Sequence, residues 1–323
     1  MANQNKRQNF LLLSARWWIA LGVIIIIPCL PFTRLIAQER IRKPAVAGSF
    51  YPMDKKQLTK TVDDFISNVK HKQIAGKILG LMSPHAGYVF SGQVAAYSYS
   101  QIKDRQYDTV IILGPSHRVH LIGASVGNWD AYVTPLGKVK VNREMVNALL
   151  SIGKPFHFVE QAHIMEHSVE TQIPFLQRVL KKFDIVPIVM GPLSLINCNK
   201  VSEALVKIAK KRNVLFVASS DMSHFPDYSN ANNVDRKTLA LIEKDNPDSV
   251  FTSEKETLKK GISNLSTTLC GLSSVVTVMM TVKRLGANAV DILHYANSGD
   301  VAIHGHRETR RVVGYGAVAF YKQ

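Results

Sequence analysis

Hydrophobic and polar positions along the chain fall into two alternating patterns. Apolar runs of strand length occur at 77–82, 109–113, 185–190, 214–218, 290–295 and 312–321. Between them, apolar residues return every three or four positions at 55–69, 93–102, 143–150, 170–181, 200–211, 234–244 and 272–285, the spacing of amphipathic helices. Several strand segments, such as "TVIIL" and "VLFVA", are apolar at every or nearly every position, which a sheet covered on both faces requires. Strands alternating with helices predict an α/β fold, a three-layer sandwich whose largely parallel, mixed central sheet carries helices on both faces. Past residue 43 there is no Pro/Gly/Ser-rich linker, low-complexity tract or fixed-period repeat. Residues 39–323 therefore read as one domain, preceded by a basic and apolar segment at 1–38.

That first segment differs in kind from the rest. "WWIALGVIIIIPCL", residues 17–30, is uncharged and follows Lys6, Arg7 and Arg16, the layout of a signal peptide or short signal anchor. Pro28 and Pro31 interrupt it, and it falls short of the roughly 20 residues of a standard span. No convincing cleavage site follows. The expectation is an uncleaved anchor and a membrane-associated protein, with the side of the membrane open because positive residues flank both ends.

Composition changes this picture little. The 323 residues are 46% hydrophobic and 20% charged, as in a folded globular protein. The formal charge is +16, but the first 43 residues alone supply +6 of it, and the remainder is scattered in short clusters. No nucleic-acid motif accompanies them, so a solvated basic surface is expected and nucleic acid is not expected as a partner. Cys29, Cys198 and Cys270 are odd in number and widely spaced, which excludes a disulfide framework and a Cys-x-x-Cys metal knuckle.

The chemistry is concentrated where strands end. "LMSPHAGYVFSG" closes an apolar run on Ser83, Pro84 and His85; "TVIIL" is followed by Gly114, Pro115, Ser116 and His117; "VLFVA" is followed by Ser219, Ser220, Asp221, Met222, Ser223 and His224. Three strands thus end in a small-residue turn bearing a histidine, although only 11 of 323 residues are histidine. Ligands of open α/β sheets bind beyond the carboxyl ends of the strands. If these three strands are parallel neighbours, His85, His117, Asp221 and His224 converge. Imidazoles with a carboxylate at such a place suit a metal ion, and a spare histidine beside it can move protons. The plainer alternative is that strand-end histidines bond loop backbone.

"HIMEHSVETQIPFL" carries His163, Glu166 and His167 in the His-x-x-Glu-His order of inverted zincins, a weak match because Pro174 confines any helix there to its first turn. Glu166 and His167 are read as pocket-lining residues or as supports for metal ligands.

"GSFYP", "PHAGYVFSG", "GPSH", "EHSVETQIPFL", "SSDMSH" and "TLCG" occur in the order and approximate spacing of the Memo-like proteins, also called AmmeMemoRadiSam system protein B, which this chain resembles from about Arg42 to its end. The family is similar in fold to class III extradiol dioxygenases, non-haem iron enzymes that open catechol rings. The resemblance implies His85, His117 and Cys270 as metal ligands, with His224 and Asp221 as the acid/base pair, and Glu166, His167, Tyr88 and Ser116 in the pocket or behind the ligands. Cys270 stands where the dioxygenases use a carboxylate. A thiolate is softer and oxidisable, so the ion expected is iron or copper before zinc, and ring cleavage is in doubt. Taken alone, a cysteine opening the segment "GLSSVVTVMM" also reads as a small buried apolar residue; a helix amino terminus there is expected to lower its thiol pKa.

Three readings follow. One is a redox-active or metal-handling protein whose status as an enzyme is open. Another is a non-catalytic protein that uses an inherited dioxygenase pocket to bind a small molecule or peptide. The third has Cys270 as a metal-independent nucleophile with His224 as base. By resemblance alone, functional partners are an AMMECR1-like protein and a radical S-adenosylmethionine enzyme.

Overall fold

A computed structural model of the chain describes residues 38–70 and 73–323. Its elements in order are β1 (Ile41–Arg42), α1 (Lys55–Ser67), β2 (Lys77–Ser83), α2 (Tyr88–Ser100), β3 (Thr109–Pro115), β4 (Ala124–Val126), β5 (Ala131–Thr134), β6 (Gly137–Lys140), α3 (Arg143–Ile152) and β7 (Phe156–His157). They continue with α4 (Gln161–Ile164), α5 (Ile173–Val179), β8 (Asp184–Met190), α6 (Leu195–Ala209), β9 (Val214–Ser219), α7 (Tyr228–Glu243), α8 (Pro247–Leu258), α9 (Leu272–Arg284), β10 (Ala289–Asn297) and β11 (Gly314–Lys322).

Eight strands form the central sheet in the order β10-β11-β2-β9-β3-β8-β4-β7, and β1-β5-β6 form a small second sheet. The four middle strands β2, β9, β3 and β8 are mutually parallel, while β11 and β4 run against their inner neighbours. β3 and β9 are buried at every position, which explains their unbroken apolar runs. Helix α2 packs with α1 and α5, and α9 packs with α6 and α8 and lies along β9, β3 and β2. The expected three-layer sandwich is the observed one.

Helix α9 is buried over ten consecutive positions, Ser273 to Val282, so its polar members are small hydroxyls; Thr281 returns its proton to the Thr277 carbonyl within the helix. Side-chain caps start five of the described helices: Asp54 for α1, Asn142 for α3, Ser194 for α6, Asp227 for α7 and Asn246 for α8. Periodicity overlooked α8, whose signals were the Asn246 cap and Pro247 in its first turn, and the two- to four-residue strands β1 and β4 to β7, too short to show a period. The helix read at 170–181 is a 3-10 turn, Glu170–Gln172, leading into α5.

The expected membrane association needs correction. Among the described residues no helix is long and apolar enough to cross a membrane. The apolar segment at 17–30 that prompted the expectation lies outside the described residues.

One buried ion pair ties the chain's start to the segment beneath the strand ends. Arg42 is 2% exposed and Glu170 is fully buried, and they form a salt bridge. The Arg42 guanidinium also donates to the carbonyls of His163 and Glu166, saturating its fork. Glu170 accepts in addition from the amides of Ala45 (2.7 Å) and Val46 (3.1 Å) and from the Tyr51 hydroxyl. Each charge is fully hydrogen-bonded, the condition under which a desolvated pair is tolerated. Glu170→Gln is expected to cost about 3–5 kcal/mol, because Arg42 would be left charged and unpaired. Arg42→Met should lose a comparable amount by stranding Glu170, and urea denaturation midpoints of both variants check this.

Asp235 on α7 is a second buried carboxyl, accepting from the Ser223 amide (2.9 Å), the Ser223 hydroxyl (3.0 Å) and the Tyr295 hydroxyl (2.8 Å). Burial raises its pKa to about 7, more than these bonds lower it. A group whose pKa is raised on folding supports the native state below its unfolded value, about 3.9, and loses that support as pH rises through the folded value. Unfolding free energy should therefore carry a component that declines between about pH 4 and 7, and Asp235→Asn should remove it in a pH series of urea titrations.

Candidate metal centre

The carboxyl ends of β2, β9 and β3 lie side by side, with Ser83 in register with Ser219 and Leu113 with Ala218. This adjacency brings the three histidine-bearing turns together. The His85 and His117 ring centroids are 5.1 Å apart, His85 and His167 5.4 Å, and His117 stacks on His167 at 4.5 Å. Cys270, on the turn before α9, places its sulfur 3.3 Å from His85 Nε2.

Two sets of donors are close enough to hold one ion. Ligand atoms of His85, His117 and His167 lie within 4.8 Å of one another, and so do those of His85, Asp221 and Cys270. His85 belongs to both sets. His117 and Cys270 fall in different ones, so the three ligands implied by resemblance are joined through His85. His167 was read only as a pocket or supporting residue, yet its donor atom stands among the histidines. It follows no strand in the sequence, and the local His-x-x-Glu-His pattern that singled it out suggested a partner, His163, that lies elsewhere.

Hydrogen bonding settles which imidazole nitrogens are free. Ser219 Oγ donates its single proton to the Ser168 carbonyl (2.5 Å), so it must accept at 2.9 Å from His85 Nδ1. Glu166 Oε1 accepts at 2.9 Å from His117 Nδ1. Both rings therefore carry a proton on Nδ1, and His85 directs Nε2 at the Cys270 sulfur. Such an outward bond is the usual way a ligand imidazole is oriented.

Glu166 holds this arrangement from behind. Its carboxylate accepts from the His117 amide (2.6 Å), the His167 amide (2.8 Å) and the Ser168 amide (2.9 Å), besides the His117 ring. Burial alone would raise its pKa, but the bonds and charge of His117 and the nearness of His167 bring it down to about 2. The segment can approach so closely because residue 114 is glycine: a Cβ there would sit 2.5 Å from Ser168 Oγ. Gly271 does the same for Cys270, since a Cβ would come within 2.6 Å of the Ser219 carbonyl oxygen.

Burial disfavours the charged form of three of the cluster's imidazoles, those of His85, His167 and His224. Burial, then the other histidines, lowers the pKa of His85 well below its ordinary value. Burial lowers His167 to about 4 and His224 to about 4, with a further contribution from His117. Asp221 Oδ1 accepts from the His85 amide (2.7 Å) and the Ala86 amide (3.3 Å), but burial prevails and raises its pKa to about 6. The Cys270 thiol also goes up, by burial first and the Asp221 charge second. This corrects the expectation that the start of α9 would make it acidic: the partial charge of a helix end does not offset desolvation and the neighbouring carboxyl. A metal-free thiolate nucleophile is correspondingly disfavoured.

The remaining expected residues differ in what they contact. The buried Nε2 of His224 has no hydrogen-bond partner, and neither has Nδ1 of His167, which is 3.3 Å from Glu166 Oε1 but poorly aligned. Tyr88 turns its ring against Tyr51 and Phe175 and donates to the Thr171 carbonyl at 2.6 Å; it is a core residue. Ser116 donates to the Val119 carbonyl and lines a cavity of about 310 Å³ that also touches Cys270. His163 is spent on Ser125 Oγ (2.9 Å) and the Tyr132 hydroxyl (3.1 Å), so the His-x-x-Glu-His pattern splits and makes no zincin site. A larger cavity, about 770 Å³, reaches His167 and Asp221 and is walled by Phe50, Phe90, Val301 and Tyr315.

The molecule is thus an α/β protein with a convergent imidazole, thiol and carboxyl cluster at the carboxyl ends of its parallel strands. Comparison with known proteins defines it further. The family model described as "Memo-like protein" matches residues 42–319. A MEMO1 family protein of Nitrosopumilus maritimus is 38% identical over 293 residues, covering 87% of this chain and 99% of that protein. Those of Methanobrevibacter smithii and Thermoplasma volcanium are 35% and 32% identical, covering 87% and 88% of this chain and 99% of each relative. The chain belongs to the Memo-like family.

Glu166→Gln tests the orienting role directly. A neutral amide can donate to His117 Nδ1 as well as accept from it, so the imidazole should become a tautomer mixture. Imidazole nitrogen shifts in NMR spectra of the labelled protein would show this, and an unchanged single tautomer would contradict it.

Proposed function

We propose that this protein binds a redox-active metal ion, iron or copper, through His85, His117 and Cys270, and acts in metal-dependent redox chemistry or metal handling. The observation that carries the reading is the pair of imidazoles protonated on Nδ1, with His85 Nε2 directed at the partly buried Cys270 thiol. The donors fit a cation chemically. The lowered pKa values of His85 and His167 and the raised one of the thiol keep positive charge off these donors, and a bound ion would supply what stabilises the thiolate. Two imidazoles and a sulfur suit iron or copper among redox metals.

When bound, the ion supplies Lewis acidity and access to one-electron chemistry. The chain's residues do the rest. Glu166 and Ser219 fix the two imidazoles. Asp221, tied by Oδ1 to the turn that carries His85, keeps Oδ2 3.9 Å from His85 Nε2. His224, with its buried Nε2 unsatisfied, is the group to accept or return a proton, and Asp221 is the carboxyl that supports it. His167 and Asp221 complete the two alternative donor sets on either side of His85.

Metal analysis of anaerobically purified protein tests the assignment. Since His85 belongs to both donor sets, His85→Ala should lose most bound metal, on the order of tenfold or more in affinity, whereas His167→Ala and Cys270→Ser should separate the two sets. Undiminished metal in His85→Ala would overturn the ligand assignment. Metal that binds normally in a protein showing no redox change or oxygen uptake with candidate catechols would favour the binding reading over an enzymatic one.

A further inference from the structure

We infer that the large cavity beside the cluster is a site for an organic monoanion, with a carboxylate held by Arg307 and Arg311 and an apolar body lying between them and Asp221. This rests on the metal-site reading for the claim that the bound molecule is a substrate. The anion site itself does not.

The cavity has a buried end and an exposed mouth. Asp221 is 4% exposed and His167 is mostly buried, while 302–311 is exposed throughout. Its walls between are apolar: Phe50, Phe90, Val301, Ile303, Val313 and Tyr315. A volume of about 770 Å³ matches the range of small-molecule sites. An apolar body is therefore what the middle accepts.

Charge at the mouth decides the head group. Glu308 pairs with Arg310 at 3.5 Å, which leaves Arg307 and Arg311 with no carboxylate partner among the described residues. The Arg311 guanidinium is 4.9 Å from the Phe225 ring centroid, so its plane is supported while its donors stay available. A guanidinium fork matches a carboxylate in two parallel bonds. Asp221 and Glu308 line the same cavity, so a second negative charge on the ligand would be opposed; a monoanion is preferred to a phosphate dianion.

The wall that carries these arginines is anchored rather than loose. The Phe225 amide donates to the Val312 carbonyl (2.7 Å), the Val312 amide to the Pro226 carbonyl (2.9 Å) and the Tyr228 amide to the Thr309 carbonyl (2.8 Å). Asp300 at the other end accepts from the Tyr228 hydroxyl at 2.6 Å. The backbone that carries the cations is thus in place before any ligand arrives, which reduces the ordering cost of binding.

Calorimetric titration of the full chain with naphthylacetate and its neutral isostere naphthylacetamide tests the inference. The acid should bind at least about tenfold more tightly than the amide. In the double variant Arg307→Gln, Arg311→Gln that preference should vanish through weaker binding of the acid, with the amide and the thermal unfolding midpoint unchanged. Equal binding of acid and amide, no binding of either, or a preference that survives in the variant would overturn the anion site. Repeating the titration with Cys270→Ser separates the two conclusions. Acid preference retained where metal content never responded to ligand substitutions would leave this site standing and remove the metal reading.

Discussion

The buried pair of Arg42 and Glu170 is the constraint on which the site's construction depends. Residues 163–172 carry little regular structure, a single short helix end and one 3-10 turn, so sheet hydrogen bonding does not hold them. What holds them is Arg42 donating to two of their carbonyls while Glu170 gathers the amides of Ala45 and Val46. That segment supplies Glu166, His167 and Ser168, which orient His117, stand beside it, and complete the Ser219 network around His85. Charges buried so deeply tolerate no half-satisfied state, so the segment has one arrangement or none.

The same burial sets the chemistry. Desolvation lowers the pKa of His85, His167 and His224, raises the thiol and the Asp221 carboxyl, and is outweighed at Glu166, where three backbone amides and a ring nitrogen converge. Imidazoles kept from charging, with an orienting anion behind them, are prepared for a cation. The neighbouring cavity has the complementary polarity: acid at its depth, apolar walls, arginines at its mouth.

How much of this was legible beforehand differs by element. The four parallel strands were readable because strands buried on both faces must be apolar throughout, and turns at their ends announced themselves by Pro, Gly and His. Arg42 was not. In the sequence it looks like one more positive residue in a basic flank, and only a partner 128 positions away makes it a core side chain. His163 and His167 look alike in one short motif, yet one is spent on Ser125 and Tyr132 while the other joins the cluster. Tyr88, one residue past the glycine of "PHAGY", appeared to face the pocket but starts α2 with its ring in the core.

The primary structure by itself determined the fold class, the order of the strands along the chain and the presence of imidazoles at three strand ends, because periodicity and turn chemistry are local properties. Only the tertiary structure decided that β2, β9 and β3 are neighbours, that Cys270 meets His85, that His167 stands among the donors and that the thiol is raised rather than lowered in pKa. The reason is physical. Adjacency, burial and proton position depend on groups distant in sequence, and no local pattern records the dielectric a side chain will meet.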